Sequence, residues 1–267
     1  MSGTEGLRID AVGFGYEAQV PVLTGVDLTV APGDLVVLVG ANGSGKSTLL
    51  RLAAGLRDPD QGTVTLDGQD VAALDPRARA RAIAFLPQDV QPVHRLTARE
   101  VIELGRHPHR SVAWSSAGPT DRAAVDEAIA VCDVVELQTR AFDTLSGGER
   151  QRVSIAAAIA QSGRVLVLDE PTAALDLPHQ VSVFELLHAR ARAGLAVLIA
   201  THDLNLAASF GDRVVALHQG RVLAGGSPGD VIRPEVLGPV LGPSSWIGPH
   251  PATGGPCVLP RAGGEAR

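Results

Sequence analysis

Aromatic residues make up only 3% of the 267-residue chain, and there are just two cysteines, Cys132 and Cys257. So few cysteines exclude a disulfide framework. Cys132 lies at helical spacing with Val125 and Ile129, which predicts a buried small apolar residue. With little aromatic mass available, the core must be built from Val, Leu, Ile and Ala. No apolar run approaches the roughly 20 residues needed to span a bilayer. The opening stretch MSGTEGLRID lacks the basic and then apolar order of a secretory leader. These absences predict a cytosolic chain that meets a membrane only through a partner. Positive charge is also short. A net charge of −6 argues against a nucleic-acid-binding surface, and no nucleic acid is expected among its partners.

The chain does have a globular composition, 45% hydrophobic and 19% charged, at a length where a second lobe becomes expected. LVVLV (35–39), VLVL (165–168), AVLIA (196–200) and RVVAL (213–217) are continuous apolar runs, the pattern of strands buried on both faces. Apolar positions recurring at three and four lie between them, as over 181–193. Strand alternating with helix predicts an α/β fold with a mainly parallel sheet. Residues 7–30 and 62–70 alternate instead and carry turn signals, which predicts an antiparallel β patch beside it. Residues 91–160 are nearly free of strand patterns and read as a helical subdomain inserted in the core. The segment 241–267 is rich in Gly and Pro and reads as an irregular tail.

GANGSGKST (40–48) satisfies the spacing G-x-x-x-x-G-K-[ST], directly after a strand and before an apolar helix. Glycines let successive N–H groups converge on phosphate oxygens at a positive helix end. The expected cradle is Gly40, Ala41, Asn42, Gly43, Ser44, Gly45, Lys46, Ser47 and Thr48. Lys46 would reach the β and γ phosphates of a nucleoside triphosphate, and the Ser47 hydroxyl would ligate Mg2+.

RVLVLDEP (164–171) ends a buried strand in two carboxylates. Asp169 is placed to hold the magnesium shell, and Glu170 to polarise a water aimed at the γ phosphate. LIATHD (198–203) repeats the geometry with His202, which could donate to the γ phosphate or orient the water. Gln88, after the strand-like AIAFL, could reach the metal or the water and opens the helical insertion. Phosphoryl transfer is catalysed mainly by positioning and charge neutralisation, which calls for such a set. The plain readings are a capping role for the acids, a structural histidine and a turn glutamine.

LSGGERQ (145–151) raises a different question. Ser146, Gly147 and Gly148 open a helix whose N–H groups attract anions, yet no strand, lysine or acid accompanies them. They form half a site. The simplest completion pairs two chains head to tail, each helix start capping the phosphate held by the other chain. A capped helix with a tight Gly-Gly turn is the bland reading.

LSGGERQ between a glutamine-bearing loop and LVLDEP, followed by ALD (174–176) and His202, resembles the ATP-binding subunit of ABC transporters over residues 7–225 or so. The resemblance implies a single ABC ATPase domain over 7–240 with a P-loop NTPase core, ATP and Mg2+ as cofactors, and hydrolysis coupled to transport. It implies that Tyr16 stacks on adenine, that Ser146 to Gly148 act in trans, and that Asp176 lies at a dimer interface. It also implies that the region linked to Gln88 docks on integral-membrane permease subunits, which puts the chain at the cytoplasmic face of the membrane. EVIELGRHPHR, ALDLPHQ, THDLNLAASFGD and HPATGGPCVLP resemble the importer subgroup for iron–siderophore complexes, heme and cobalamin. There the ATPase is a homodimer beneath the permease, fed by a substrate-binding protein. One departure is SIAAAIAQ (154–161), where relatives usually carry an arginine before the second alanine pair. His107 and His109 could be read as a metal pair, but a permease-contacting surface is the preferred reading. The competing expectation is a soluble ATPase of the same superfamily in cofactor assembly or DNA maintenance. The long coiled-coil insertions of DNA-maintenance relatives are not seen here.

Overall fold

The continuous apolar runs become the centre of a six-stranded sheet. The computed structural model describes residues 6–17, 20–89, 95–110 and 118–261. Numbered in chain order, the sheet runs β10 (Arg221–Gly226), β9 (Arg213–His218), β3 (Leu35–Val39), β8 (Ala196–Ala200), β7 (Val165–Asp169), β6 (Ile83–Leu86). Every pair is parallel except β9 with β10, an antiparallel edge. All five residues of each of β3, β7 and β8 are buried.

Successive strand side chains point to opposite faces, and these runs divide accordingly. Leu35, Val37, Leu166, Leu168, Val197 and Ile199 enter one core, which is completed by helices. Val36, Leu38, Val165, Val167 and Leu198 enter a second. The second core is closed by an antiparallel sheet ordered β2 (Val20–Val30), β1 (Leu7–Glu17), β4 (Gln61–Leu66), β5 (Gln69–Asp70). Helix α1 (Lys46–Ala53) lies in that core through Leu49, Leu50, Leu52 and Ala53.

Helix α2 (Pro76–Ala82) precedes β6. Between β6 and β7 the described chain is helical: α3 (Ala98–Leu104), α4 (Pro119–Val131) and α5 (Gly147–Ala160), with one isolated bridge, Thr97 to Ala141. Buried Arg106 joins the three. Its Nε donates to Asp121 Oδ1 at 2.9 Å, and its Nη1 donates to the Ala160 carbonyl at 2.8 Å. Removing Asp121 would leave the buried Arg106 guanidinium short of its charged partner. Helix α6 (Leu177–Arg192) contributes Val183, Phe184 and Leu187 to the first core, and α7 (Leu204–Phe210) contributes Leu206 and Ala207.

The irregular reading of the tail is overturned over 245–260. After α8 (Pro228–Val231) and α9 (Pro234–Leu241), β11 (Ser245–Pro249) and β12 (Pro256–Pro260) pair as a hairpin. Cys257 is buried, and Ile247 and Val258 pack on the helical core. Prolines 249, 256 and 260 sit at strand ends, where a missing N–H does least harm. The local pattern therefore looked like a loop, while tertiary packing makes it a strand pair.

Candidate functional site

The turn between β3 and α1 is closed by contacts that leave no room for side chains. A Cβ on Gly40 would lie 2.3 Å from the Leu217 carbonyl oxygen. Gly45, the residue before α1, has φ 103°, and a Cβ there would lie 2.7 Å from Leu23 Cδ2. Only glycine accepts both the left-handed backbone and the close approach.

The turn faces an open cavity of about 410 Å³ lined by Asn42 to Thr48 together with Val22, Gln88 and Glu170. Residues from the ends of β3, β6 and β7 thus converge at the carboxyl edge of the sheet, where open α/β sheets bind ligands. Lys46, the one lysine of the chain, is 7% exposed. Its Nζ donates to the carbonyls of Gly40 (2.8 Å) and Ala41 (3.3 Å) and stands 4.0 Å from Glu170 Oε1.

Asp169 and Glu170 differ sharply in surroundings. Asp169 is buried, takes a hydrogen bond from the Ser47 side chain, and has an Oδ1 with no protein partner. Burial pushes its carboxyl above the usual range; the Ser47 hydrogen bond opposes the shift and the neighbouring Glu170 charge adds to it. An orphaned, desolvated carboxylate oxygen beside a hydroxyl fits a hard cation with oxygen ligands.

Glu170 occupies the left-handed region (φ 49°), an uncommon conformation for a non-glycine residue, and its N–H donates to the Ala200 carbonyl at 3.0 Å. This turns the side chain out of the strand register and into the cavity. Its Oε2 accepts from His202 twice, from Nδ1 at 2.8 Å and from the backbone N–H at 3.3 Å. The His202 side chain is 65% exposed. Lys46, Glu170 and His202 thus form one connected line.

Tyr16 stands at the start of α1. Its hydroxyl pairs with Thr48 Oγ1 at 3.2 Å and accepts from Arg51 Nη1 at 3.4 Å. The Thr48 hydrogen bond, helped by Arg51, pulls its pKa below the usual tyrosine value against the effect of burial. The ring is 50% exposed, with Arg57 over it at 5.2 Å and Phe14 edge-on at 5.1 Å between centroids. Arg51 and Arg57 were not anticipated in the sequence, where nothing distinguishes them from solvated charges.

Ser146, Gly147 and Gly148 do not line this cavity. Ser146 caps α5 reciprocally with Glu149: its N–H donates to Oε2 at 2.8 Å, and its Oγ accepts from the Glu149 N–H at 3.3 Å. Asp176 is also outside. It caps α6 by accepting from the His179 N–H at 3.2 Å and also contacts His179 Nδ1. His109 bonds the Gln161 carbonyl through Nε2 at 2.7 Å. Among the described residues no cluster of three or more His, Cys, Asp or Glu could hold a metal. Cys132 is buried among Val125 and Ile129 as expected, and desolvation pushes its thiol up to about 12.

The glycine-rich turn and the strand-end acids lie within residues 23–173, the span matched by the family profile described as ABC transporter. The chain belongs to the ABC transporter family of ATP-binding proteins. This ABC ATPase is 45% identical over 260 residues to the hemin import ATP-binding protein HmuV of Rhodococcus jostii, covering 97% of this chain and 88% of that one. Among solved structures it resembles an inward-facing metal-chelate type ABC transporter, with TM-score 0.82, 26% identity, and 97% and 98% of the two chains covered. It also resembles a dimeric bacterial ABC transporter cassette, with TM-score 0.75, 29% identity, and 83% and 98% covered. The P-loop α/β fold and ATP as the bound nucleotide are thereby established for this ABC ATPase.

Proposed function

We propose that this ATPase works as a two-fold pair beneath membrane permease subunits, and that ATP hydrolysis there energises import of heme or a related metal chelate. The line of hydrogen bonds and charge from Lys46 through Glu170 to His202 carries the catalytic part. The hemin and metal-chelate descriptions of the relatives support the cargo class. The working domain is taken as 7–240 with its helical insertion, and the membrane association as peripheral. Among the described residues no helix is long and apolar enough to cross a bilayer.

In this reading the turn N–H groups of residues 42–48 and the Lys46 ammonium hold the β and γ phosphates. Tyr16 meets the adenine. Ser47, Asp169 and Gln88 would hold Mg2+, which supplies charge neutralisation on the phosphates. Glu170 accepts a proton from water as the water oxygen bonds phosphorus and the bond to the ADP oxygen breaks. His202 holds the Glu170 carboxylate in line and donates toward the γ phosphate. Ser146, Gly147 and Gly148 of a second copy complete the phosphate's surroundings, and Asp176 lies at the seam.

The test is ATPase activity in proteoliposomes holding the permease, with substrate-binding protein loaded with heme, ferric siderophore or cobalamin. Stimulation by one loaded form and not by the empty protein is expected. Equal rates with loaded and empty protein for all three would overturn the import reading.

A further inference from the structure

The C-terminal hairpin is joined to the body of the protein by a side chain from an unexpected place. Asn205, exposed in the first turn of α7, presents its amide to the outer edge of β12. Its Oδ1 accepts from the Val258 N–H at 2.8 Å, and its Nδ2 donates to the Val258 carbonyl at 3.1 Å. One side-chain amide thus does for Val258 what a neighbouring strand would do, satisfying a donor and an acceptor together. An asparagine or glutamine amide carries the two groups side by side on one carbon, as a strand's backbone would present them.

Asn205 is three residues from His202, and hydrogen bonds fasten the chain around and between them. The Thr201 N–H donates to the Leu38 carbonyl at 3.1 Å, and the Asp203 N–H donates to Thr201 Oγ1 at 3.1 Å. Asp203 Oδ1 accepts from the N–H groups of Asn205 (2.8 Å) and Leu206 (2.9 Å). Among the described residues the exposed His202 ring has one bonded anchor, Glu170. Its orientation therefore depends on the backbone that carries it. That backbone leads through one capped turn to the Asn205 amide and so to the hairpin. On the other side His202 and Leu204 face a cavity of about 250 Å³ whose far wall includes Leu237, Val240 and Leu241 of α9. The hairpin thus holds the histidine turn through Asn205, while α9 faces that turn across the cavity.

We infer that the C-terminal hairpin is a strut for the catalytic histidine and that Asn205, by clasping Val258, is a positioning residue for ATP hydrolysis. The inference rests on the role proposed above for His202. It assigns a task to the Gly- and Pro-rich tail, whose described residues do not line the phosphate cavity.

Asn205→Asp keeps the size of the side chain but removes the donor and sets a carboxylate against the Val258 carbonyl. Val258→Pro removes the donor from the hairpin side. Both are made in the full-length chain and assayed per mole of ATP-binding sites, so that unfolded protein does not count. The expected result for each is a fall in kcat of about five- to tenfold, as for a catalytic group held slightly out of place, with KM for ATP within twofold. In a His202→Ala background neither change should lower kcat further. A parental kcat in both Asn205→Asp and Val258→Pro, with His202→Ala impaired, overturns the strut alone. Undiminished activity in His202→Ala overturns the strut and the proposed role of His202 together. An equal further loss in the His202→Ala background would show that the hairpin acts on something else, and would also overturn the inference.

Discussion

Replacing Glu170 with glutamine tests the centre of the site, because this residue meets both the ammonium and the imidazole. The amide is nearly isosteric and its oxygen still accepts from His202, whose Nδ1 now lies 2.8 Å from Oε2. What disappears is the proton acceptor and one negative charge. Loss of a positioned general base costs about 10²–10⁴ in rate, which corresponds to about 3–5 kcal/mol of barrier. The charge change acts in the opposite sense on binding. Glu170 Oε1 lies 4.0 Å from Lys46 Nζ, with both side chains 7% exposed. At an effective dielectric constant of about 20, two unit charges at that distance attract by about 4 kcal/mol before desolvation is counted. Glutamine removes this competitor for the ammonium, so ATP should bind as tightly as before or more so. Turnover is read by phosphate release, affinity by titration with ATP, and assembly by size-exclusion chromatography with ATP and Mg2+. The expected outcome is kcat down at least a hundredfold, unweakened affinity and a persistent ATP-bound dimer. A kcat within threefold of the parent would refute Glu170 as base. A large loss of affinity alongside lost turnover would instead make Glu170 a structural prop for Lys46.

Lys46→Ala should abolish ATP binding while leaving the circular dichroism spectrum unchanged; no second lysine exists to replace the ammonium, and retained affinity would undo the cradle. For Asp169 the sign follows from burial. Its raised pKa means that the fold disfavours the charged form, so its contribution to stability is full below the unfolded pKa of about 3.9 and is lost as pH rises through the folded value. Asp169→Asn should therefore raise the melting temperature at pH 7, and less so at pH 4, while abolishing the extra stabilisation that Mg2+ adds to ATP; a lower melting temperature at pH 7 counts against the argument. Ser146→Arg should block ATP-dependent dimerisation in sedimentation experiments, with monomer affinity for ATP within about threefold of the parent.

The phosphate turn was legible because its causes are local. Gly40, Gly45, Lys46 and Ser47 are fixed by spacing, and the turn follows a run so apolar that it must be a buried strand. Asp169 and Glu170 were legible for the same reason, as charges at the end of another such run. Their different roles were read there too, but the difference in their surroundings was not. It arises from the left-handed backbone at Glu170 and from the hydrogen bond to Ala200, which depend on β8 lying alongside β7. The environment of Tyr16 was hidden likewise, since Arg51 and Arg57 reach it only after α1 has packed. The hairpin is the clearest loss. Its sequence is punctuated by Pro and Gly, and its stability comes from Asn205 and from the burial of Cys257, partners distant in the chain.

If a second copy completes the site, the completion has a mechanical side. The capping box between Ser146 and Glu149 uses the Ser146 oxygen and the third N–H of α5, so the helix start is already rigid. Helix geometry leaves the N–H groups of Gly147 and Gly148 without an intrahelical partner. Gly148 lies so close to Leu175 that a Cβ would be 3.1 Å from Cδ2. The helix start and the turn leading to Asp176 are therefore in contact and should move together. On the proposed reading, a second copy whose ATP approaches these N–H groups also meets Asp176, which is exposed and held by His179. Capping the phosphate and burying the seam then become one event. Nucleotide adds negative charge at the turn of one copy, and the other copy offers it a positive helix end. Closure is then driven by ATP and reversed by its loss, the coupling that a transport cycle requires.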